Sequence, residues 1–457
     1  MSAVSAAREV ERAEARERVR AATRTLLHDL VRVGVAHLSP DARQRVETTA
    51  LWAQSADYWR LADLLRRVED QAELLLTRSS RGDERTLLDL VALAAALVDA
   101  LDASPDEPRL VGSARQRYEP VSGIDLVGLG GMAWARTGYV GLTCLFWQPD
   151  ELRFLSWTDA RPDSMWGFDA RKRYDAYGPW TGLGSPRRAT GRGVFLEDAR
   201  ISEQGRISGV EATQARMGPG RGRLRTLDVV SRWAELGRRE HRSLLDPGNP
   251  LLEWAVLRPD EVGPARFDPV RQVVRRELVD EAGDVLPLEL RWTPATAHAV
   301  ARVEGLDLPE GAWLVCRVPR TSAGFVAEPL SVVLPDEGRV DCLHFDDAPG
   351  AEQVRERRSQ VGPDPDDEPE TEVEARDRLR SGLPRPAQVL DAWLVRQLER
   401  GTGATAAGLL RATLDAHHRE CRAVGLSVYP VVGADADPAQ ALLRSLHVTR
   451  QLAQVLA

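Results

Sequence analysis

The chain of 457 residues carries a single lysine, Lys172, against sixty arginines, and only four cysteines, Cys144, Cys316, Cys342 and Cys421. Thiols so few and so scattered exclude a disulfide framework and fit a reducing cytoplasm. No apolar run reaches the roughly 18–20 uncharged residues that cross a bilayer, and Met1–Arg20 is a mixture of Ala, Arg and Glu without the apolar core of a secretory signal. There is no Gly-Lys-Ser/Thr phosphate loop, no Gly-x-Ser-x-Gly elbow and no His-Glu-x-x-His pair. Those absences remove the P-loop nucleotidases, the serine hydrolases with that elbow and the helix-borne zinc proteases. The expectation is a cytoplasmic protein that is not an enzyme and holds no cofactor.

Hydrophobic residues make up 43% of the chain and charged residues 28%, enough apolar material for real cores, and the length points to about three domains. An arginine surplus over lysine accompanied by abundant Ala, Gly and Pro reflects a GC-rich coding bias, so placement of charge is more informative than its kind. Between Arg109 and Arg225 stand 18 basic and 12 acidic residues, whereas the whole chain is −8. A basic middle segment is thus flanked by acidic ones.

The spacing predicts an α+β multidomain protein. Residues 1–108 read as a helical bundle: Leu61, Leu64, Leu65, Val68, Ala72 and Leu75 share one face, and Leu87, Leu90, Val91, Ala94, Val98 and Leu101 repeat it. Ser39-Pro40 is a cap with proline at the first helical position. Residues 5–20 carry charge on nearly every face, which predicts a helix that projects or frays. Residues 109–225 form a basic, mostly-β domain with strands at Val121–Leu129, Tyr139–Trp147 and Leu152–Trp157, a long loop over 159–192, and a hairpin around Ser202–Gly205.

Residues 226–347 read as an α+β domain. A helix is expected near Leu227–Leu236, then strands Val273–Leu278 and Leu286–Trp292, then a short helix over Pro294–Val303 capped by Thr293. Strands Trp313–Val318, Phe325–Leu334 and Arg339–Phe345 close the segment. Residues 348–380 are an acidic, proline-rich linker, since Pro363–Glu374 holds seven acidic residues, three prolines and no basic residue. Residues 381–457 return to helix, the last starting at Asp437-Pro438.

Several clusters invite a chemical reading. Gly128-Leu-Gly130-Gly-Met-Ala133 fits a dinucleotide-binding turn superficially, but the next strand begins near Tyr139 and leaves no room for a crossover helix, so a glycine-rich β connection is expected. His28-Asp29 lacks the upstream histidine of a His-Asp phosphohydrolase. His417 and Cys421, spaced four apart beside His418, offer two ligands on one helix face without a partner pair, and a surface helix is expected. Cys342-Leu-His344 places two metal-ligand side chains on one side of a predicted strand, with Cys316 on a neighbouring strand. Three ligands plus water make a zinc site, whereas the alternative is burial of small apolar thiols.

The segment 157–192 interleaves Trp157, Trp166 and Trp180 with Arg161, Arg171, Lys172, Arg173, Arg187, Arg188 and Arg192. Exposed rings with cations suit single-stranded nucleic acid or a partner surface. The alternative is that the rings pin a long loop to the sheet while the arginines stay solvated.

Leu26-Leu-His-Asp-Leu-Val-Arg-Val-Gly34, Tyr118-Glu-Pro-Val121, Gly128-Leu-Gly130 leading to Trp134, Gly138–Thr143, Trp157–Pro162 and Ala265–Arg271 together resemble actinobacterial SWIM zinc-finger family proteins. The Cys-x-Cys and Cys-x-His finger itself is absent, and only Cys342-x-His344 mimics half of it, so no zinc ligand is carried over. The resemblance implies partnership with a MoxR-type ATPase or a von Willebrand A-type protein. The leading expectation is therefore a non-enzymatic adaptor in a larger assembly. A nucleic-acid-binding module using 157–192 stands as the second expectation, and an enzyme with an unfamiliar site as the third.

Overall fold

The computed structural model describes residues 3–113, 117–136, 139–162, 164–165, 167–238, 243–245, 249–321, 324–347, 383–403 and 405–456. They divide into two compact units: one joins the N-terminal and C-terminal helices with a short piece around residue 244, and the other holds the β structure between them. The expected linker over 348–380 lies outside the described residues. Helical N-terminus, central sheets and C-terminal helices are as the hydrophobic periods predict, an α+β multidomain chain.

In the helical unit, α1 (Ala3–Val33), α2 (Pro40–Ser55), α3 (Trp59–Leu76) and α4 (Glu84–Ala103) bury the two predicted stripes. The Ser39 hydroxyl accepts from the Ala42 amide at the start of α2, with Pro40 in the first turn. Of residues 5–20, the stretch 9–14 is exposed along the helix and packing begins only near Arg16. All of them belong to the unbroken α1, where Arg16 is only 4% exposed and donates to the carbonyls of Ala56 and Pro105. A charged residue is tolerated on the inner face because backbone acceptors satisfy its guanidinium. The helices Arg385–Arg400, Ala407–Ala423 and Pro438–Val455 enter the same core through Leu390, Leu394, Leu398, Leu414, Leu442 and Leu446. Gly34 and Gly401, both at positive φ, let two helix ends meet backbone to backbone.

The β unit starts with an antiparallel sheet in the order β3-β2-β1-β4-β5, from β1 (Tyr118–Arg136), β2 (Tyr139–Gln148), β3 (Arg153–Pro162), β4 (Gly193–Ser202) and β5 (Gln214–Gly218). The hairpin expected over Gly193–Met217 is present: β4 pairs antiparallel with β5, Val194 opposite Met217, and the chain first turns at Ser202–Gly205, where the Gly205 amide donates to the Ser202 carbonyl. The Gly128–Ala133 run is not a connection. It lies inside β1, where a bulge between Gly128 and Gly130 bends the strand.

The rest of the unit closes on itself. β7 (Trp254–Leu257) runs through a bend into β8 (Glu261–Val262). β8 pairs antiparallel with β10 (Val273–Val279), and β10 with β11 (Val285–Arg291) along all seven residues. The helix Ala297–Glu304 crosses one end and buries Ala299, Val300 and Val303. β12 (Trp313–Arg317) returns beside β7, and β15 (Glu328–Leu334) beside β12. The Ala327 amide then donates to the Pro287 carbonyl at 2.8 Å, and Glu289 returns the bond, so β15 meets β11 in parallel. Five strands therefore close as first-second-third-fifth-fourth-first. Two expectations fail in detail. Leu227–Leu236 is not a helix: Val229–Val230 pair in parallel with Val256–Leu257, and a 3-10 turn follows in which the Trp233 indole donates to the Leu278 carbonyl at 3.0 Å. Thr293 does not cap the helix; Thr296 occupies the cap position and the two hydroxyls bond each other.

Period-two alternation explains the packing of the barrel wall. Ala255, Leu257, Leu314, Cys316, Val332 and Leu334 fill the barrel, while Val256, Val315 and Val333 point outward into Val127, Leu129, Leu145 and Trp147 of the first sheet. Leu330 joins them out of phase, at the bulge where Val315 pairs with Ser331 and Cys316 with Pro329. One side of the barrel is thus covered, and the β10–β11 side is not covered by that sheet.

Candidate nucleic-acid interface

The segment expected to present rings and cations mostly turns its rings inward. Trp157 is 4% exposed and Trp180 fully buried, the Trp180 indole donating to the Ser208 carbonyl at 2.8 Å. They join Tyr174, Phe146, Leu155 and Leu196 in one core, so the loop is pinned to the outer face of the first sheet. Trp166 lies outside the described residues. The cations are largely engaged: Arg173 bonds Asp159 at 2.7 Å and lies over the Trp157 ring, Arg161 pairs with the same carboxylate, and Arg187 binds Asp175 and Asp346. Arg171 reaches the Phe345 carbonyl at 2.9 Å, and Lys172 sits 3.9 Å from Asp169. Arg188 and Arg192 are exposed. A stacking platform needs bare ring faces, and Trp157 and Trp180 have none to offer.

The metal candidates separate in the same way. The strand Arg339–Cys342 ends at Cys342, and His344 falls in the following turn, so the same-side argument for Cys342 and His344 does not apply. Cys342 donates its thiol to the Gly131 carbonyl at 3.1 Å, and burial pushes its pKa up to about 11. Cys316 faces the barrel interior on β12, with its pKa raised by burial. His344 Nε2 donates to the Pro329 carbonyl at 3.3 Å, and burial holds its pKa down to about 4. Thiols held protonated in apolar cores are poor ligands and poor nucleophiles. Among the described residues no group of three or more His, Cys, Asp or Glu side chains is placed to hold a metal ion. On the helix Ala407–Ala423, His418 and Cys421 face the core rather than the surface, His418 Nδ1 donating to the Pro430 carbonyl at 2.9 Å.

The barrel offers a different surface. At one end of β10–β11 the short strand β9 (Arg266–Asp268) pairs with β10, aligning Arg266, Arg275 and Glu289 in one cross-strand row and Asp268, Val273 and Arg291 in another. Arg275 Nε stands 2.8 Å from Glu289, and Arg291 donates to the Arg271 carbonyl. Phe267 and Trp292, at the same end, are 40% and 42% exposed. The connection between β12 and β15 adds a two-residue hairpin in which the Arg320 guanidinium lies 5.1 Å from the Phe325 ring centroid. Residues 252–347 carry 18 acidic and 10 basic side chains. Half of those arginines (Arg266, Arg271, Arg275, Arg291, Arg320) gather on these strands and loops. An acidic barrel therefore carries half of its arginines on β9–β11, their flanking loop and the β12–β15 connection, with Phe267 on β9 and Trp292 past β11 partly exposed.

The strand order, the helix between third and fourth strands and the parallel meeting of third and fifth are those of the OB fold, whose second and third strands and flanking loops bind oligonucleotides or oligosaccharides in many members. Residues 252–365, a quarter of the chain, match the family model of the YehQ C-terminal OB-fold domain. That description is not the zinc-finger family which segments of the sequence resemble. No curated protein matches the chain. Among solved structures, one of a replication protein A heterotrimer bound to single-stranded DNA is similar at 13% identity over 54% of this chain and 53% of that chain. Its TM-score is 0.25, too low to carry an argument, and the fold assignment rests on the strand pairings. Among the described residues no helix is long and apolar enough to cross a membrane.

Sequence reasoning missed this end of the barrel. Its signal was the β-β-α-β-β order after residue 273, preceded by Trp254-Ala-Val-Leu257 between two prolines as the missing first strand.

Proposed function

We propose that the chain binds single-stranded nucleic acid through the uncovered end of its barrel, without transforming it. The carrying observation is the closed barrel whose second and third strands the first sheet leaves uncovered, with Arg275 and Arg291 on them, Arg266 and the part-exposed Phe267 on the adjoining β9, and the part-exposed Trp292 just past β11. Cations neutralise the backbone and rings stack on bases, a mode tolerant of sequence and sensitive to salt. The contact surface in this reading is not the segment 157–192. Fluorescence anisotropy with labelled oligothymidine tests it. Affinity is expected to fall as salt rises, and Trp292→Ala with Arg275→Glu to weaken binding by about tenfold or more. A folded double variant that binds as the parent does would overturn the reading.

The acidic surplus of the barrel favours a second reading, an adaptor within a larger intracellular assembly. Partners by the sequence resemblance are a MoxR-type ATPase or a von Willebrand A-type protein. Co-purification from the native host separates the two: a stoichiometric protein partner together with absent oligonucleotide binding would favour the adaptor.

A further inference from the structure

A cavity of about 380 Å³ opens in the β unit away from the barrel end described above. Three stretches of chain converge on it: the end of the long loop at Gly191-Arg192, the corner Gly218–Arg221 after β5, and the turn Glu337–Arg339 between β15 and the strand Arg339–Cys342. Glycine is needed at each approach. A Cβ on Gly220 would collide with the Gly191 carbonyl, Gly191 sits at φ +73 against the Val340 amide, and Gly338 at φ +66 rests on the stem of Arg221. Backbone this close leaves a wall of small residues rather than an apolar lining.

Around that wall stand Arg192, Arg221 and Arg339. Arg339 pairs with Glu337 at 3.2 Å. Arg192 and Arg221 are exposed, and neither guanidinium has a hydrogen-bond or ion-pair partner among the described residues. Several arginines elsewhere in the unit are answered by carboxylates, Arg173 by Asp159, Arg187 by Asp175 and Asp346, Arg223 by Asp125, Arg302 by Asp341. Others such as Arg188, Arg200 and Arg206 have no carboxylate partner among the described residues but do not line this cavity. A cavity that gathers three arginines and supplies one carboxylate has a local excess of positive charge. Planar guanidinium forks match phosphate oxygens in twos.

We propose that this cavity is a binding site for a phosphate group, held by Arg192 and Arg221, with Arg339 released from Glu337 on binding. The ligand is either a free phosphate ester, such as a nucleotide, or one phosphate of a nucleic-acid backbone. The site is separate from the barrel end and stands or falls independently of the proposed function.

Calorimetric titration of the full chain with inorganic pyrophosphate tests the site. One saturable site per chain is expected, weakened by about tenfold or more in Arg192→Gln with Arg221→Gln, since each charge-assisted bond lost accounts for roughly a decade of affinity. Glu337→Gln is expected to bind several-fold tighter, because it removes the competing carboxylate; a merely structural arginine cluster would not respond so. Absence of saturable binding, equal affinity in the folded double variant, or weaker binding by Glu337→Gln would overturn the site. A second arm names the source. If oligothymidine displaces pyrophosphate and the double variant binds oligothymidine more weakly, the pocket holds a backbone phosphate. If both bind together, it holds a free ester.

Discussion

Gly128 and Ala189 meet backbone to backbone: a Cβ on Gly128 would lie well inside contact distance of the Ala189 carbonyl oxygen. On either side the Gly128 amide donates to the Arg192 carbonyl at 3.1 Å, and the Gly191 amide to the Gly128 carbonyl at 2.9 Å. The end of the long loop is thus sewn to the bulge of β1. Gly128→Ala forces backbone apart where no side chain can swing away, and is expected to cost about 1–3 kcal/mol by urea unfolding. A variant as stable as the parent would show that this seam is loose.

Trp180 makes the matching anchor from the side chain. It is fully buried and its indole satisfies the Ser208 carbonyl. Trp180→Ala is expected to cost about 3–5 kcal/mol. Trp180→Phe should cost about 1–3 kcal/mol, chiefly for the carbonyl left without its donor. Arg171→Glu with Arg173→Glu is expected to lower the melting temperature by breaking the Asp159 pair, while leaving oligothymidine affinity unchanged in the folded protein. A selective loss of affinity would return the nucleic-acid surface to this loop.

Elements with a strong period were legible in the sequence. The two leucine stripes of α3 and α4 are buried at every predicted position except Leu75, which packs at the core edge. The β10–β11 hairpin and the helix after it were readable from alternation and from the turn at Asp280–Asp284. What the sequence hid was closure. The apolar run Trp254–Leu257 is buried on both faces and gives no alternation, and the β15–β11 contact spans some forty residues with a single bridge. The aromatic-arginine segment misled because composition cannot tell a ring facing solvent from one facing a core. Trp157 and Trp180 pack inward, while Phe267 and Trp292, less conspicuous in sequence, stand half-open at the barrel end.

His344 gives the β unit an acid-sensitive element. Among the described residues its Nδ1 has no hydrogen-bond partner, and burial depresses its pKa to about 4 from an ordinary 6.5. The folded state therefore favours the neutral ring. The stability this contributes is complete above pH 6.5 and is lost as pH falls toward 4, about 3 kcal/mol over the window. Asp346, whose pKa is raised by burial, acts with opposite sign, so the informative quantity is the difference between parent and His344→Gln. That difference is expected to narrow steadily from pH 6.5 to 4. A difference that stays constant would mean the ring titrates normally in the folded protein.

In the helical unit Arg450 ties the last helix to both ends of the chain. Its Nε stands 2.6 Å from Asp89 on α4, and Nη1 bonds Asp391 on the helix Arg385–Arg400. Arg450 and Asp391 are 11% and 13% exposed, so removing the cation strands a nearly buried carboxylate with a second one close by. Arg85, 2.7 Å from Asp391, compensates only in part because its side chain is 41% exposed. Arg450→Met is expected to destabilise the helical unit by about 3 kcal/mol. Burial already raises the pKa of Asp89, and without Arg450 that carboxyl takes up a proton more readily. The deficit should therefore shrink as pH falls toward 4, and Asp391→Asn in the Arg450→Met background should recover most of it at pH 7. Thermal melts of the three proteins at the two pH values decide the matter: a deficit that neither acid nor Asp391→Asn reduces would mean that lost packing, not stranded charge, is what the substitution costs.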